Sequence, residues 1–104
     1  MGNKVYQEFL RKLGDKKTAL WVKTDGTLEL VKPKNNAKEF SLEELQHFVG
    51  GYIEIAPYCP YKNYLVIVNE EGLIKGLEPN ITAYNLGLEE YVGNVIIIPR
   101  ECIS

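Results

Sequence analysis

Two cysteines and one histidine are a thin supply of reactive and metal-binding side chains for a chain of 104 residues. Cys59 and Cys102 stand far apart and neither belongs to a CxxC pair, which in a cytosolic protein predicts two free thiols and no disulfide. Adding His47 still leaves a structural zinc site short of ligands, so neither a metal nor any other cofactor is expected. Long apolar runs are missing too. The longest, 64–68 and 95–98, fall far short of the ~20 residues that cross a bilayer. The opening stretch MGNKVYQEFLRKLG mixes charges at helical spacing and lacks the apolar core of a secretory signal, so a cytoplasmic protein without membrane contact is expected. Neither sign of charge is in excess: a formal charge of −2 gives no basic footprint for DNA or RNA. Nor are carboxylates dense enough for a mimic of DNA phosphates. A phosphate-cradling glycine loop is lacking as well, because Gly50-Gly51 closes a helix where an anion site would open one.

What the chain does have is clearly marked secondary structure. Hydrophobic residues at 45% and charged residues at 25% suit a folded domain with a single modest core. Val5, Tyr6, Phe9, Leu10 and Leu13 form an amphipathic helical stripe that Gly14 stops. Strands at 18–23 and 28–32 flank Thr24-Asp25-Gly26-Thr27, a hairpin turn signal. Ser41 and Glu44 have the spacing of a capping box for a helix over 42–49, with Phe40 and Leu45 placed as a hydrophobic staple. A strand over 52–56 ends at Pro57, and a nearly continuous apolar run over 64–68 predicts a central strand buried on both faces. A polar turn over 69–72 leads into a further strand at 73–75; Asn80 caps a short helix over 81–85, and the last strand, 95–98, ends at Pro99. The class is therefore α+β: a mainly antiparallel sheet of five to six strands, with helices covering one face. Residues 1–15 read as an N-terminal helical extension and 16–104 as the α+β domain.

No catalytic constellation stands out. His47 falls off the Leu42-Leu45-Val49 stripe of its helix and is expected at the surface. Cys59 lies beside Pro60 in a loop with no histidine near it in sequence. Glu70 and Glu71 are adjacent, which suits a solvated turn better than two carboxylates converging on one cleft. A non-enzymatic protein is expected. The functional colour lies in seven tyrosines, of which Tyr52, Tyr58, Tyr61 and Tyr64 gather around one strand end and its loop. Tyrosine packs flat on a base or a partner surface while keeping a hydroxyl for hydrogen bonds, although strands also use it for packing alone. Tyr58 and Tyr61 are the first candidates for recognition, with Lys62, Asn69, Glu70 and Glu71 beside them. Asn69 equally suits a turn-former bonding its own backbone, and Trp21 suits the core.

From Thr18 to Ile98 the chain resembles a family of small domains of unknown function found in bacteriophages, plasmids and gut-bacterial mobile elements. The matching pieces, in order, are Thr24-Asp25-Gly26, Ser41-Leu42-Glu43-Glu44-Leu45 and Val49-Gly50-Gly51-Tyr52-Ile53-Glu54. They continue with Val68-Asn69-Glu70-Glu71-Gly72, then Gly76-Leu77 with Asn80 and Ala83, and Val92-Gly93-Asn94-Val95. The resemblance implies a genetic setting in a bacterial host cell and supplies no catalytic residue. In that setting the expected role is antagonism of host defence by binding, most concretely sequestration of a nucleotide-derived immune signal against Tyr58 or Tyr61 at an oligomer interface. The alternatives are a protein-binding inhibitor of a defence nuclease, in the manner of an anti-CRISPR protein, and a housekeeping accessory module. The expected partners are thus a nucleotide-like small molecule or a host defence protein, with homo-oligomers of the chain itself.

Overall fold

Alternate residues of each strand part to opposite faces of one sheet, and each face carries its own apolar core. The computed structural model describes residues 3–103. Strands β1 (Ala19–Val22), β2 (Leu28–Val31), β3 (Ile53–Ile55), β4 (Tyr64–Asn69) and β5 (Val95–Pro99) stand in the order β2-β1-β5-β4-β3, and every neighbouring pair is antiparallel. Leu20, Val22, Val66, Val68, Val95 and Ile97 face one side, where Phe9 of helix α1 (Lys4–Arg11) and Ala83 of helix α3 (Ile81–Asn85) join them. Ala19, Ile67, Ile96 and Ile98 face the other side and meet Leu45, Phe48 and Val49 of helix α2 (Leu42–Val49). The fold is an α+β domain with a five-stranded antiparallel sheet.

Three expectations change. Helices cover both faces instead of one, because the interior strands are apolar on both sides and each side has to be kept from water. The middle strand is β5, buried along its whole length, while β4 lies one place out between β5 and β3. A continuous apolar run marks an interior strand without saying which one. Residues 73–75 form no strand. Lys75 N–H donates to the Glu71 carbonyl at 2.9 Å, Gly76 N–H to Leu73 at 3.1 Å and Leu77 N–H to Gly72 at 3.0 Å, so this stretch coils into successive turns.

Both longer helices are held by their caps and by a few large side chains. The Asn3 side chain accepts the Val5 and Tyr6 backbone N–H groups at the start of α1. Phe9 is fully buried and meets the rings of Tyr61 and Tyr64 edge-on, each with centroids 5.7 Å apart. Helix α1 therefore packs on its own sheet, against β1 and β2, and leaves Leu10 and Leu13 exposed. In α2 the capping box is complete: Glu44 N–H donates to Ser41 Oγ at 3.1 Å and Ser41 N–H to Glu44 Oε1 at 2.8 Å. Phe40 and Leu45 share the core beneath it, whereas Leu42 stays exposed and Phe48 fills the stripe in its place.

Candidate functional site

The tyrosines that neighbour one another in sequence separate in space. Tyr64 opens β4 and Asn69 closes it, so at ~3.4 Å per residue the two ends lie roughly 17 Å apart. At the first end Tyr64 is buried; its hydroxyl accepts Gly14 N–H at 3.2 Å and reaches the Asp15 carbonyl at 3.5 Å. Tyr61 is half-buried, and its hydroxyl lies 2.5 Å from that of Tyr6 on α1. Burial first, and then this hydrogen bond, push the Tyr61 phenol well above its ordinary range, so it stays protonated. Lys62 lies beside them at the edge of a cavity of about 460 Å³ that also takes in Lys16, Asp15 and Glu101. Tyr58 is about half exposed, and its carbonyl accepts the Tyr91 hydroxyl at 3.5 Å.

At the other end Asn69 is a buried latch. Its amide donates to the Val49 carbonyl at 3.1 Å, and its Oδ1 accepts Glu71 N–H at 2.8 Å, so one side chain ties the end of α2 to the turn after β4. This is the turn-forming role, with a long-range bond added. The glycine pair fits the same latch. Gly50 has φ +79° as the left-handed residue after α2, and a Cβ on Gly51 would come within 2.8 Å of the Asn69 amide. Asn80 acts similarly: its amide bonds the Val22 and Gly93 carbonyls at 3.0 and 2.9 Å, while its Oδ1 caps α3 through Ala83 N–H. Asn94 Oδ1 accepts Thr24 N–H at 2.9 Å. The motifs that carry the resemblance thus resolve into scaffold: a cap, a helix stop and asparagine ties between strands.

The most exposed large apolar side chains lie in the turn after β4. Leu73 is 84% exposed and Ile74 87%, and along the edge strand Tyr52 at 62% and Ile55 at 50% are exposed as well. Glu54, Glu70 and Glu90 ring a cavity of about 360 Å³ whose floor includes Ala56, Val68 and Val92. Sequence reasoning placed Leu73 and Ile74 inside a strand and so missed them. The signal was the short interval between Gly72 and Gly76, too brief for a strand with two paired sides.

The groups weighed for catalysis are kept apart. Cys59 packs against the core under α1, while His47 sits exposed on α2 across the sheet, its ring 5.6 Å from that of Trp21. Burial raises the Cys59 thiol above its ordinary range and pushes Cys102 up to about 11, so both favour the thiol form at neutral pH. Among the described residues no three His, Cys, Asp or Glu side chains come together as a metal site. No helix among them is long and apolar enough to cross a membrane.

Comparison with curated proteins and with solved structures yields no match for this chain. A protein-family model does match, over residues 17–102, and its boundaries take in every strand, α2, α3 and all the asparagine ties while leaving α1 outside. The chain belongs to the family of the domain of unknown function DUF3846.

Proposed function

We propose that this domain works as a stoichiometric binding module, without catalysis, and that its partner is a protein docked on the face around β3 and the 70–76 turn. The observation that carries this reading is the pair Leu73 and Ile74, adjacent large aliphatic side chains left almost wholly in water on a tightly bonded turn. A domain of this size has little reason to hold such a pair out rigidly unless something covers it. The resemblance to phage and mobile-element domains supports a setting in which that partner belongs to host defence, such as a defence nuclease. For the homo-oligomer expected from the sequence, α1 offers Leu10 and Leu13, since its Phe9 is committed to the domain's own core.

Sequestration of a nucleotide-derived signal is the second reading. It draws on the half-exposed ring of Tyr58 and on Lys16 and Lys62 at the cavity beside Tyr61. Native mass spectrometry of protein purified from its bacterial host separates the two. A co-purifying protein that is lost from a stably folded Leu73→Ser, Ile74→Ser variant supports the docking face. A retained nucleotide, unaffected by that variant, overturns it in favour of sequestration.

A further inference from the structure

We infer that the groove beside β3 takes an extended protein segment in which lysine or arginine alternates with apolar residues; this rests on the protein-binding reading above. Three independent features select that occupant. The first is backbone. Tyr52 and Ala56 bond β4 through the Tyr52 carbonyl and the Ala56 N–H, and Glu54 stands opposite Val68 between them. In an antiparallel ladder the bonded positions alternate, so the N–H and C=O groups of Ile53 and Ile55 point away from the sheet. Among the described residues β3 is an edge strand with nothing paired on that side, which is the geometry of strand addition.

The second is charge. Glu54, Glu70 and Glu90 line the groove, and no lysine, arginine or histidine does. Among the described residues none of the three takes part in an ion pair; Lys75, in the same turn, is engaged with Glu71 at 3.3 Å. The carboxylates do not converge as a metal site, so cations brought by a partner are what they suit. The third is the apolar component. Ala56, Val68 and Val92 form the floor, and Leu73 and Ile74 stand at the rim. Ile53 and Ile55 point to the opposite face of β3 from Glu54, and Ile55 is half exposed, so a strand of alternating character added to this edge presents its basic side chains to the glutamates and its apolar ones to the isoleucines. A second copy of this chain is a poor occupant, because two such faces would set glutamates against glutamates.

The test uses the full chain and two fluorescein-labelled synthetic peptides, one alternating valine with lysine and one alternating valine with glutamate, followed by anisotropy. The lysine peptide binds saturably and the glutamate peptide does not. Reversing the groove with Glu54→Lys, Glu70→Lys and Glu90→Lys weakens the lysine peptide by about tenfold or more. Reversing Glu39, Glu43 and Glu101 instead, with the same change in net charge, leaves it within about twofold. Equal binding of both peptides, or equal weakening by both triple variants, overturns the inference. The docking face and its basic-segment chemistry fail differently. If Leu73→Ser, Ile74→Ser abolishes capture of the host partner while groove reversal leaves it intact, the docking face stands and the basic-segment chemistry falls. If neither variant matters, the face itself is wrong. A mass in sedimentation that doubles with concentration, and returns to monomer in Leu73→Ser, Ile74→Ser, assigns the face to a second copy and overturns the proposal.

Discussion

The two edges of the sheet are built to opposite ends. At the β2 edge the larger concavity, about 970 Å³, opens between β2 and α2, and its lining mixes Lys32 and Lys34 with Glu29, Glu39 and Glu43. Much of what it holds is already engaged. The Trp21 indole N–H donates to the Phe48 carbonyl at 2.9 Å, and the Lys23 ammonium sits 4.0 Å over the Trp21 ring while pairing with Glu29 at 3.2 Å. Glu44 gives one carboxylate oxygen to Ser41 N–H and the other to Lys34 N–H. On the opposite face α1 packs over β2. At the β3 edge the cavity is less than half that size, yet among the described residues its carboxylates have no cations and its aliphatic rim has no cover. Volume alone would have pointed to β2. The side whose chemistry is left unmet is β3.

Cutting into each edge breaks that comparison most directly. Trp21→Ala removes an indole that packs on Phe48 with ring centroids 5.0 Å apart and satisfies a helix-end carbonyl. It should lower stability by about 3 kcal/mol in a urea titration while leaving partner binding unchanged at full folding. Lost binding in the folded fraction would make the β2 groove the functional one. The complementary experiment, Leu73→Ser with Ile74→Ser, should weaken partner binding by about 2 kcal/mol or more and leave the melting temperature nearly unmoved. A clear fall in melting temperature would show that these side chains are covered by the domain itself.

Between these in kind lies Asn69→Ala, which unties α2 from the turn that displays Leu73 and Ile74. With the Val49 carbonyl and Glu71 N–H both losing a buried partner, the cost in stability should be about 2 kcal/mol. Amide exchange over 70–77 should rise more than over β1 and β2. Uniform change across the domain would mean that the latch has no local role.

Legibility in the sequence followed the range of each interaction. The capping box, the αL residue at Gly50 and the Asp25 turn, where Thr27 N–H donates to Asp25 Oδ1 at 2.9 Å, all act within three residues and were readable. Strand order and the placement of helices on both faces depend on pairings such as Trp21 with Ile96, which no local pattern encodes. The site followed the same rule. Tyr58, Tyr61 and Tyr64 looked like one cluster because sequence shows neighbours, but Tyr61 is fixed by Tyr6 from α1 and Tyr64 by Gly14. Asn69 as a turn-former was readable through its bond to Glu71; its tie to Val49, twenty residues back, was not. Leu73 and Ile74 were misread because an apolar pair after a turn looks like the start of a strand, and only the turn's own hydrogen bonds show otherwise.

The smallest effect is the pH dependence of one carboxylate at the β2 edge. Burial works against ionisation of Glu44, but the N–H groups of Ser41 and Lys34 outweigh it and hold its carboxyl below the ordinary value of 4.5. A carboxyl depressed in the folded state binds its proton more readily in the unfolded chain. Its contribution is therefore fully present above 4.5 and fades as pH falls through the lower, folded value. Glu44→Gln keeps the shape and removes the charge, so it should cost about 0.5–1 kcal/mol at neutral pH, the scale of losing part of a helix cap. The gap between wild type and variant should narrow on acidification toward about pH 3. Chemical denaturation at each pH reads the gap. A constant gap for Glu44→Gln would mean that its hydrogen bonds do not depend on the charge.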